Sequence, residues 1–287
     1  MINVALIGKG YWGRNLERYV RAHAEFKLVR LCDSRSDLTE IWRARDVHAV
    51  VIATPNPTHY GLAKEALLTG KHVFCEKPLA LKSAECRELV QLAAENRLAL
   101  VTNYVYTFSS ALDVFRSSIH QGAIGELKGL ELNIRKLGKF GREDVYWLLG
   151  SHLLAVLDLF LPLGNLRFTK KDILKQSGTV ETGAIAFSGM GVKGQINVSL
   201  NHPWRETRIF GIGGRGTMLY DPQQASSLRC VTYDRQSLQT FARDWQIDEY
   251  HNLRLAIDFF SAVIRGKTES NMKRALRITE ILEALHQ

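Results

Sequence analysis

The chain has 287 residues, of which 46% are hydrophobic, so it can bury a sizeable core and is not a disordered, collagen-like or coiled-coil protein. At roughly 100–200 residues per domain, this length predicts two domains. The 38 Lys and Arg residues exceed the 29 Asp and Glu residues, and the net charge of +9 favours anionic partners without choosing among them.

Short apolar runs alternate with segments of helical periodicity over the first 120 residues. The helical stripes include Leu16, Leu62 and Leu89. The apolar runs predict buried strands of a parallel sheet at Ile2–Ile7, Leu28–Cys32, Ala49–Ala53, His72–Cys75 and Leu98–Val101. This alternation predicts an α/β fold with a Rossmann dinucleotide-binding domain over residues 1–121.

From residue 122 onwards the pattern changes to alternating apolar and polar residues. An antiparallel sheet with one open face is predicted from Leu127–Arg135, Thr182–Phe187, Val192–Leu200 and Arg205–Ile212. Two closing helices are predicted at Tyr250–Arg265 and Met272–His286. We therefore expect a second, α+β domain over residues 122–287 with a large, mainly antiparallel sheet. The last helices of this second domain can pack back on the first domain.

A glycine-rich segment, Gly8-Lys9-Gly10-Tyr11-Trp12-Gly13, follows the first predicted strand and opens the first helix. Gly8 permits a tight turn, Gly10 allows a pyrophosphate to approach the backbone, and Gly13 lets the helix pack on the strand. Asp33, at the end of the second strand, is placed to accept a hydrogen bond from a ribose 2′-OH. Together these features predict binding of a nicotinamide dinucleotide. The same loop supplies Tyr11 and Trp12 as candidate cofactor contacts.

Asp33 and Arg35 have opposite implications for the choice of cofactor. The carboxylate of Asp33 repels the 2′-phosphate of NADP and favours NAD, whereas the guanidinium of Arg35 attracts that phosphate. We expect NAD as the cofactor, with NADP as the alternative.

Two later segments resemble the paired motifs of the glucose-fructose oxidoreductase and inositol dehydrogenase (Gfo/Idh/MocA) family. They are Ala53-Thr54-Pro55-Asn56-Pro57-Thr58-His59 and Gly70-Lys71-His72-Val73-Phe74-Cys75-Glu76-Lys77-Pro78-Leu79-Ala80. The resemblance continues through Tyr106–Ala111, Gly122–Glu126 and Gly150–His152 to the last helices. It implies a Rossmann domain and an α/β domain whose open-faced sheet forms the substrate floor and often an oligomer contact.

The resemblance also implies roles for individual residues. Lys77 would lie beside nicotinamide and substrate, where an ammonium stabilises a developing alkoxide, and its bond to Pro78 would be cis. His152 would be the general acid or base, because an imidazole titrates near neutral pH. The other implied cofactor contacts are Thr54, Pro55, Asn56, His59, Glu76 and Asn103.

Three features depart from the family pattern. Leu148 stands where the family has an aspartate four residues before His152, so the imidazole lacks its usual carboxylate partner. Asp144, further upstream, is an alternative carboxylate that could project toward the site, although nothing in the sequence shows that it does. Thr107 stands where relatives commonly carry arginine, and Ser34–Val47 is shorter than the usual Rossmann segment.

A basic cluster precedes the His152 segment and consists of Arg135, Lys136, Lys139 and Arg142. It is either a solvated loop or a lip that holds an anionic substrate group, such as a carboxylate or a nucleotide-sugar diphosphate. No nucleic-acid-binding pattern accompanies the charge, and no HExxH motif or carboxylate cluster indicates a metal.

The sequence also favours a cytoplasmic protein. Its four cysteines form no CxxC pair or zinc spacing, and the N-terminus lacks the pattern of a secretory signal peptide. The stretch resembling a membrane span, Trp147–Gly164, contains Asp158 and Pro162, which favour a buried helix.

These observations predict an NAD(P)-dependent dehydrogenase or reductase. It would transfer a hydride between nicotinamide and a secondary alcohol or ketone of a sugar, cyclitol or sugar nucleotide, and it would form a homo-oligomer through the C-terminal sheet. Leu148 leaves open a cofactor-binding regulatory protein without turnover. The family resemblance leaves open net non-redox glycoside chemistry.

Overall fold

Two compact units make up the chain in the computed structural model, which describes residues 1–141, 143–247 and 251–286. The first unit combines Met1–Val105 with Leu253–Ala284. The second unit combines Tyr106–Asn252 with Leu285–Gln287.

The first unit is built on a parallel sheet whose strands follow the order β2-β1-β3-β4-β5. The strands are β1 (Ile2–Ile7), β2 (Phe26–Cys32), β3 (Ala49–Ile52), β4 (His72–Glu76) and β5 (Leu100–Asn103). All residues of β3 and β5 are buried, as expected for strands covered on both faces. The predicted α/β class with a Rossmann-like domain is confirmed.

The helices follow the apolar stripes and the turn residues between the strands. Ser109, for example, begins a helix by accepting a hydrogen bond from the backbone N–H of Leu112 at 3.1 Å. In chain order the helices are α1 (Tyr11–Ala22), α2 (Thr39–Arg43), α3 (His59–Leu68), α4 (Ser83–Glu95), α5 (Ser110–His120), α6 (Ser151–Phe160), α7 (Asn252–Ile264) and α8 (Met272–His286). The predicted start of α7 at Tyr250 lies outside the described residues, and the short α2 occupies the Ser34–Val47 segment.

Aromatic and amide contacts attach the C-terminal helices to the parallel sheet. The ring of Phe260 on α7 lies 5.8 Å from that of Phe26 and 5.5 Å from that of Phe74. Asn271 donates to the carbonyl of Thr102 at 2.7 Å and accepts from its N–H at 2.9 Å, which satisfies backbone groups of the edge strand β5. These contacts explain why most of α7 and α8 group with the first unit, although the pattern change predicted a boundary after residue 121.

The second unit contains a sheet of order β13-β12-β11-β10-β6-β9-β8-β7. Its strands are β6 (Leu127–Leu137), β7 (Arg167–Gln176), β8 (Thr179–Gly189), β9 (Val192–Ser199), β10 (Asn201–Gly213), β11 (Gly216–Tyr220), β12 (Leu228–Tyr233) and β13 (Thr240–Trp245). Only the β6–β9 pair is parallel among these described strands, so the predicted mainly antiparallel sheet is confirmed. The edge strands β7 and β13 are largely exposed and lack the apolar alternation that predicted β6 and β8–β10.

The apolar stretch Trp147–Gly164 is divided between two kinds of helix. A π-helical turn, Tyr146–Gly150, continues into α6. Within the described part of the chain, no helix is both long and apolar enough to cross a membrane.

Replacing Phe260 by Ala is expected to lower the free energy of unfolding by about 3–5 kcal/mol, because a fully buried ring would leave a cavity beside Phe26 and Phe74. Urea denaturation measures this loss. Leu255→Ala on the same helix is the control, since that side chain is 37% exposed and should cost far less. Equal losses in the two variants would show that the aromatic contact does not hold α7.

Candidate cofactor site and active-site residues

The predicted cofactor residues of the first unit all lie at or just after the carboxyl ends of the parallel strands. Gly8 follows β1, Asp33 follows β2, Thr54 follows β3, and Glu76 and Asn103 end β4 and β5. Carboxyl ends of parallel strands share one edge of the sheet, so the fold brings these positions to the same side. The strand order reverses between β1 and β3, which is where open α/β sheets bind ligands.

The glycine-rich turn has the shape that a dinucleotide requires. A Cβ on Gly8, whose φ is +114°, would lie 2.3 Å from the carbonyl oxygen of Ala53, and a Cβ on Gly13 would lie 1.9 Å from that of Gly8. Nothing lies within 4 Å of a Cβ on Gly10, which caps α1 without a side-chain hydrogen bond. Gly8 and Gly13 therefore close the turn, while Gly10 leaves open space beside the backbone N–H groups of the helix start.

Two cations surround the carboxylate of Asp33. Its Oδ2 lies 3.3 Å from Nζ of Lys9 and 3.9 Å from Nη2 of Arg35, while its Oδ1 accepts the backbone N–H of Arg35 at 3.0 Å. This backbone hydrogen bond, followed by the Lys9 contact, lowers the pKa of Asp33. Lys9 was not among the predicted site residues, although its place between Gly8 and Gly10 was a usable signal.

Tyr11 and Trp12 begin α1 beside the glycine-rich turn. Their side chains are exposed, and the two rings meet edge to face with centroids 5.6 Å apart. The side chain of Arg35 is 91% exposed. All three groups are therefore accessible to a ligand.

His59 ties the loop after β3 to the loop after β4. The imidazole is fully buried, with Nδ1 at 2.7 Å from the carbonyl oxygen of Pro78 and Nε2 at 2.8 Å from that of Thr54. The Lys77–Pro78 bond is cis, in agreement with the resemblance. The His59 ring thus fixes the two loops that carry Thr54 and Lys77.

The loop that follows β3 also contains the exposed Pro55 and the half-buried Asn56. The hydroxyl of Thr58 donates to the carbonyl of Pro55 at 2.7 Å and lies 2.6 Å from the hydroxyl of Thr54. These contacts close the loop on itself and leave the side chain of Asn56 at its surface.

A buried polar pair joins the ends of β4 and β5. Asn103 Nδ2 donates to Oε1 of Glu76 at 2.8 Å. Burial raises the pKa of Glu76, while the Asn103 hydrogen bond and the charge of Lys77 act in the opposite direction. Oδ1 of Asn103 is buried without a hydrogen-bond partner among the described residues, so it can accept from a ligand. Together with the open space at Gly10, this acceptor shows that the residues present fit a dinucleotide.

In the second unit, His152 is the second residue of α6 and is half-buried. The ring of Tyr106 meets the imidazole edge to face, with centroids 5.1 Å apart and an interplanar angle of 86°. Tyr106 was not predicted as a site residue, although it begins one of the segments that carry the family resemblance. Its ring restricts how the imidazole of His152 can turn.

Asp144 begins the helical segment that leads to His152. Its Oδ1 accepts the backbone N–H of Tyr146 at 2.9 Å and lies 3.3 Å from Nε2 of His286, and its carbonyl oxygen accepts the N–H of Leu148 at 2.9 Å. The carboxylate is therefore committed to the helix start and to the C-terminal histidine. Leu148 itself is half-buried.

The described lysine and arginine side chains of the predicted basic cluster lie at or just after the end of β6. Burial, followed by the charges of Lys139 and Arg205, lowers the pKa of Lys136. Arg135 lies 4.0 Å from a carboxylate on β10, and Arg142 lies outside the described residues. Arg205 was not predicted to join the cluster, because its approach depends on the pairing of β10 with β6.

Comparison with known proteins identifies relatives of this chain. Residues 35–104 match the Gfo/Idh/MocA family, described as an oxidoreductase family with an NAD-binding Rossmann fold. The 2,7-anhydro-N-acetylneuraminate hydratase of Escherichia coli K12 is 30% identical over 141 residues, which are 44% of this chain and 38% of that protein. The dTDP-3,4-didehydro-2,6-dideoxy-alpha-D-glucose 3-reductase of Streptomyces violaceoruber is 41% identical over 86 residues, which are 30% of this chain and 25% of that protein. The chain thus spans less than half of these curated relatives.

A solved structure matches over the whole chain. A 3-ketoreductase from Actinomadura kijaniata, in complex with TDP-benzene and NADP, has a TM-score of 0.86 and is 19% identical. The match covers 100% of this chain and 97% of that chain, and it shows that the two proteins share a fold.

The glycine turn generates a paired prediction. Gly10→Ala is expected to leave the thermal unfolding midpoint nearly unchanged, because its Cβ meets no atom, but to weaken NADH binding by obstructing the open space. Gly13→Ala is expected to lower the midpoint, because its Cβ collides with the Gly8 carbonyl. Calorimetric titration and thermal unfolding separate the two effects. Undiminished NADH affinity in Gly10→Ala would contradict the assignment of this space to the cofactor.

Proposed function

We propose that this chain, which belongs to the Gfo/Idh/MocA family of oxidoreductases, is an NAD(P)-dependent dehydrogenase or reductase acting on a CH–OH group of a sugar, cyclitol or sugar nucleotide. The observation that carries the proposal is the glycine-rich turn, closed by Gly8 and Gly13, open at Gly10 and followed by Asp33 at the next strand end. This arrangement suits a dinucleotide, whose pyrophosphate needs close backbone approach and whose ribose needs an acidic acceptor.

The nicotinamide, when bound, would accept or donate the hydride, and the protein's residues would manage charge and protons. The ammonium of Lys77 would stabilise negative charge that develops on the reacting oxygen. The imidazole of His152 would take up or release the hydroxyl proton, with Tyr106 holding its ring. Gly10 and the start of α1 would bind the pyrophosphate, and the buried Oδ1 of Asn103 would accept from a donor of the cofactor or substrate.

NAD is the proposed cofactor in preference to NADP. Asp33 is held ionised by its hydrogen bonds and by Lys9, so it presents negative charge where NADP would carry its 2′-phosphate. Lys9 is paired with that carboxylate at 3.3 Å, whereas Arg35 pairs with it only loosely, at 3.9 Å, and is largely exposed.

Replacing Asp33 by Ser is expected to shift the ratio of NADPH to NADH affinity by about tenfold in favour of NADPH, because the repulsion disappears and Lys9 and Arg35 become available. Calorimetry with both cofactors measures the ratio. Asp33→Asn, which removes the charge and keeps an acceptor, should share most of the shift. A ratio unchanged in both variants would show that Asp33 does not face the ribose.

The proposed substrate is a small molecule with an anionic group. The mutual repulsion of Lys136, Lys139 and Arg205 would be relieved by a bound anion. One similar protein is named as the reductase of a dTDP-linked sugar, and another was solved in complex with TDP-benzene. A nucleoside-diphosphate sugar supplies both an oxidisable hydroxyl and such an anion.

A panel of sugar nucleotides, sugars and cyclitols, followed by nicotinamide absorbance in both directions, tests this function. Net change in the reduced cofactor with at least one compound is the expected result. The name of the E. coli relative, a hydratase, favours a second candidate: chemistry without net redox change. Product formation that requires NAD but yields no net NADH would support that candidate. Failure of every compound in both assays would favour a non-catalytic, regulatory role, as the Leu148 substitution suggests.

Lys77→Ala is expected to lower kcat by about 10²–10³-fold while changing the Kd for NADH only slightly, because the ammonium acts mainly on charge in the transition state. Lys82→Ala is the matched control, since Lys82 is largely exposed and pairs only loosely with Glu85, at 3.9 Å. Steady-state rates and calorimetry give the two quantities. Parallel loss of NADH affinity and turnover would instead identify Lys77 as a binding residue.

The proposal further includes assembly into a homo-oligomer through the exposed face of the second unit's sheet, in a cytoplasmic setting. Phe210 and Ile212 remain partly exposed there, in alternation with the buried Ile209. All four cysteines are buried and unpaired, as in reduced proteins. Light scattering of the purified chain would measure its oligomeric state.

A further inference from the structure

A basic cavity lies at the amino edge of the parallel sheet, which is the edge opposite the predicted cofactor residues. It has a volume of about 350 Å³, within the range of small-molecule sites. Its lining includes the end of α2 and the residues that precede or begin β3 and β4. Its charge comes from Arg43, Arg45 and Lys71, and His48 and His72 add imidazole rings to the lining.

The imidazole and guanidinium groups of the lining can donate hydrogen bonds to a ligand. His48 accepts the N–H of Asn3 at Nδ1, at 3.0 Å, and His72 accepts the N–H of Ala99 at Nδ1, at 2.9 Å. A neutral imidazole that accepts at Nδ1 carries its hydrogen on Nε2, so each ring retains a donor. The guanidinium groups of Arg43 and Arg45 also only donate.

Lys71 donates hydrogen bonds to two backbone carbonyl oxygens of the cavity lining. Its side chain is almost fully buried, and Nζ donates to the carbonyl oxygens of Ala44 at 2.8 Å and Val47 at 3.2 Å. Burial lowers the pKa of this ammonium, and the charge of Asp46 opposes that effect only in part. The lining residues include no aspartate or glutamate, so a partly desolvated positive charge is left without a carboxylate in the lining.

We propose that this cavity is an anion site that binds the phosphate or diphosphate group of a small molecule. The guanidinium groups of Arg43 and Arg45 can each donate two parallel hydrogen bonds to phosphate oxygens. The imidazole and ammonium groups of the lining add further donors. The half-buried Trp42 supplies an aromatic surface for the remainder of the ligand. The site is separate in sequence from the Gly8–Gly13 turn and does not depend on the proposed catalytic activity.

The test follows the imidazole signals of ¹⁵N-labelled full-length protein during titration with inorganic pyrophosphate. The ring resonances of His48 and His72 should move in a saturable manner, and sodium chloride at matched ionic strength should not reproduce the movement. Replacing Arg43 and Arg45 together by Gln should raise the Kd about tenfold or more. Arg30→Gln, which removes an exposed arginine that does not line this cavity, should leave the Kd within about twofold of the original protein.

Three results would overturn the site. The first is the absence of saturable movement at His48 and His72. The second is equal affinity in the original protein and the double Arg43→Gln, Arg45→Gln variant. The third is movement confined to the backbone amides of Gly8–Gly13, which would place pyrophosphate at the glycine-rich turn. Both arginines are exposed, so the double variant should fold, and an unchanged circular dichroism melting curve verifies this.

Discussion

The close backbone contacts of Gly8 with Ala53 and of Gly13 with Gly8 are the constraint on which the cofactor site depends. A single added carbon at Gly8 or Gly13 would meet a carbonyl oxygen at 2.3 Å or 1.9 Å. Without these contacts, the turn that joins β1 to α1 would not close against the end of β3, and the N-terminus of α1 would not open onto the carboxyl edge of the sheet. Gly10 lies in the same turn, but no atom of the described residues lies within 4 Å of its Cβ position. Gly8 and Gly13 therefore contribute to the packing of the fold, whereas Gly10 leaves space for a ligand.

Positive side chains lie at both edges of the parallel sheet, and they contact different groups at each edge. At the carboxyl edge, Lys9 and Arg35 lie 3.3 Å and 3.9 Å from the Asp33 carboxylate, so a negative group stands beside both cations. At the amino edge, Lys71 donates to two carbonyl oxygens, and the lining of the cavity there contains no carboxylate to pair with its charge. The proposed ribose contact at one edge and the proposed anion site at the other rest on this difference, although both edges contribute to the same net charge of +9.

Proton chemistry in the second unit would depend on an imidazole supported by an aromatic ring. Asp144 is used in the helix start and against His286, and the position four residues before His152 holds an aliphatic side chain, Leu148. Tyr106 can orient the His152 ring by contact, but it supplies no negative charge to stabilise an imidazolium.

The sequence by itself determined the parallel strands and the glycine-rich turn, because buried strands are short apolar runs and the turn requires glycine at fixed positions. It also carried the resemblance to the Gfo/Idh/MocA family through the segments around His59 and Lys77. Only the tertiary structure decided which distant groups meet: His59 with the Pro78 carbonyl, Asp144 with His286, and α7 with the first unit. The edge strands β7 and β13 likewise emerged only in three dimensions, because exposure removes apolar alternation and pairing between distant segments leaves no local pattern.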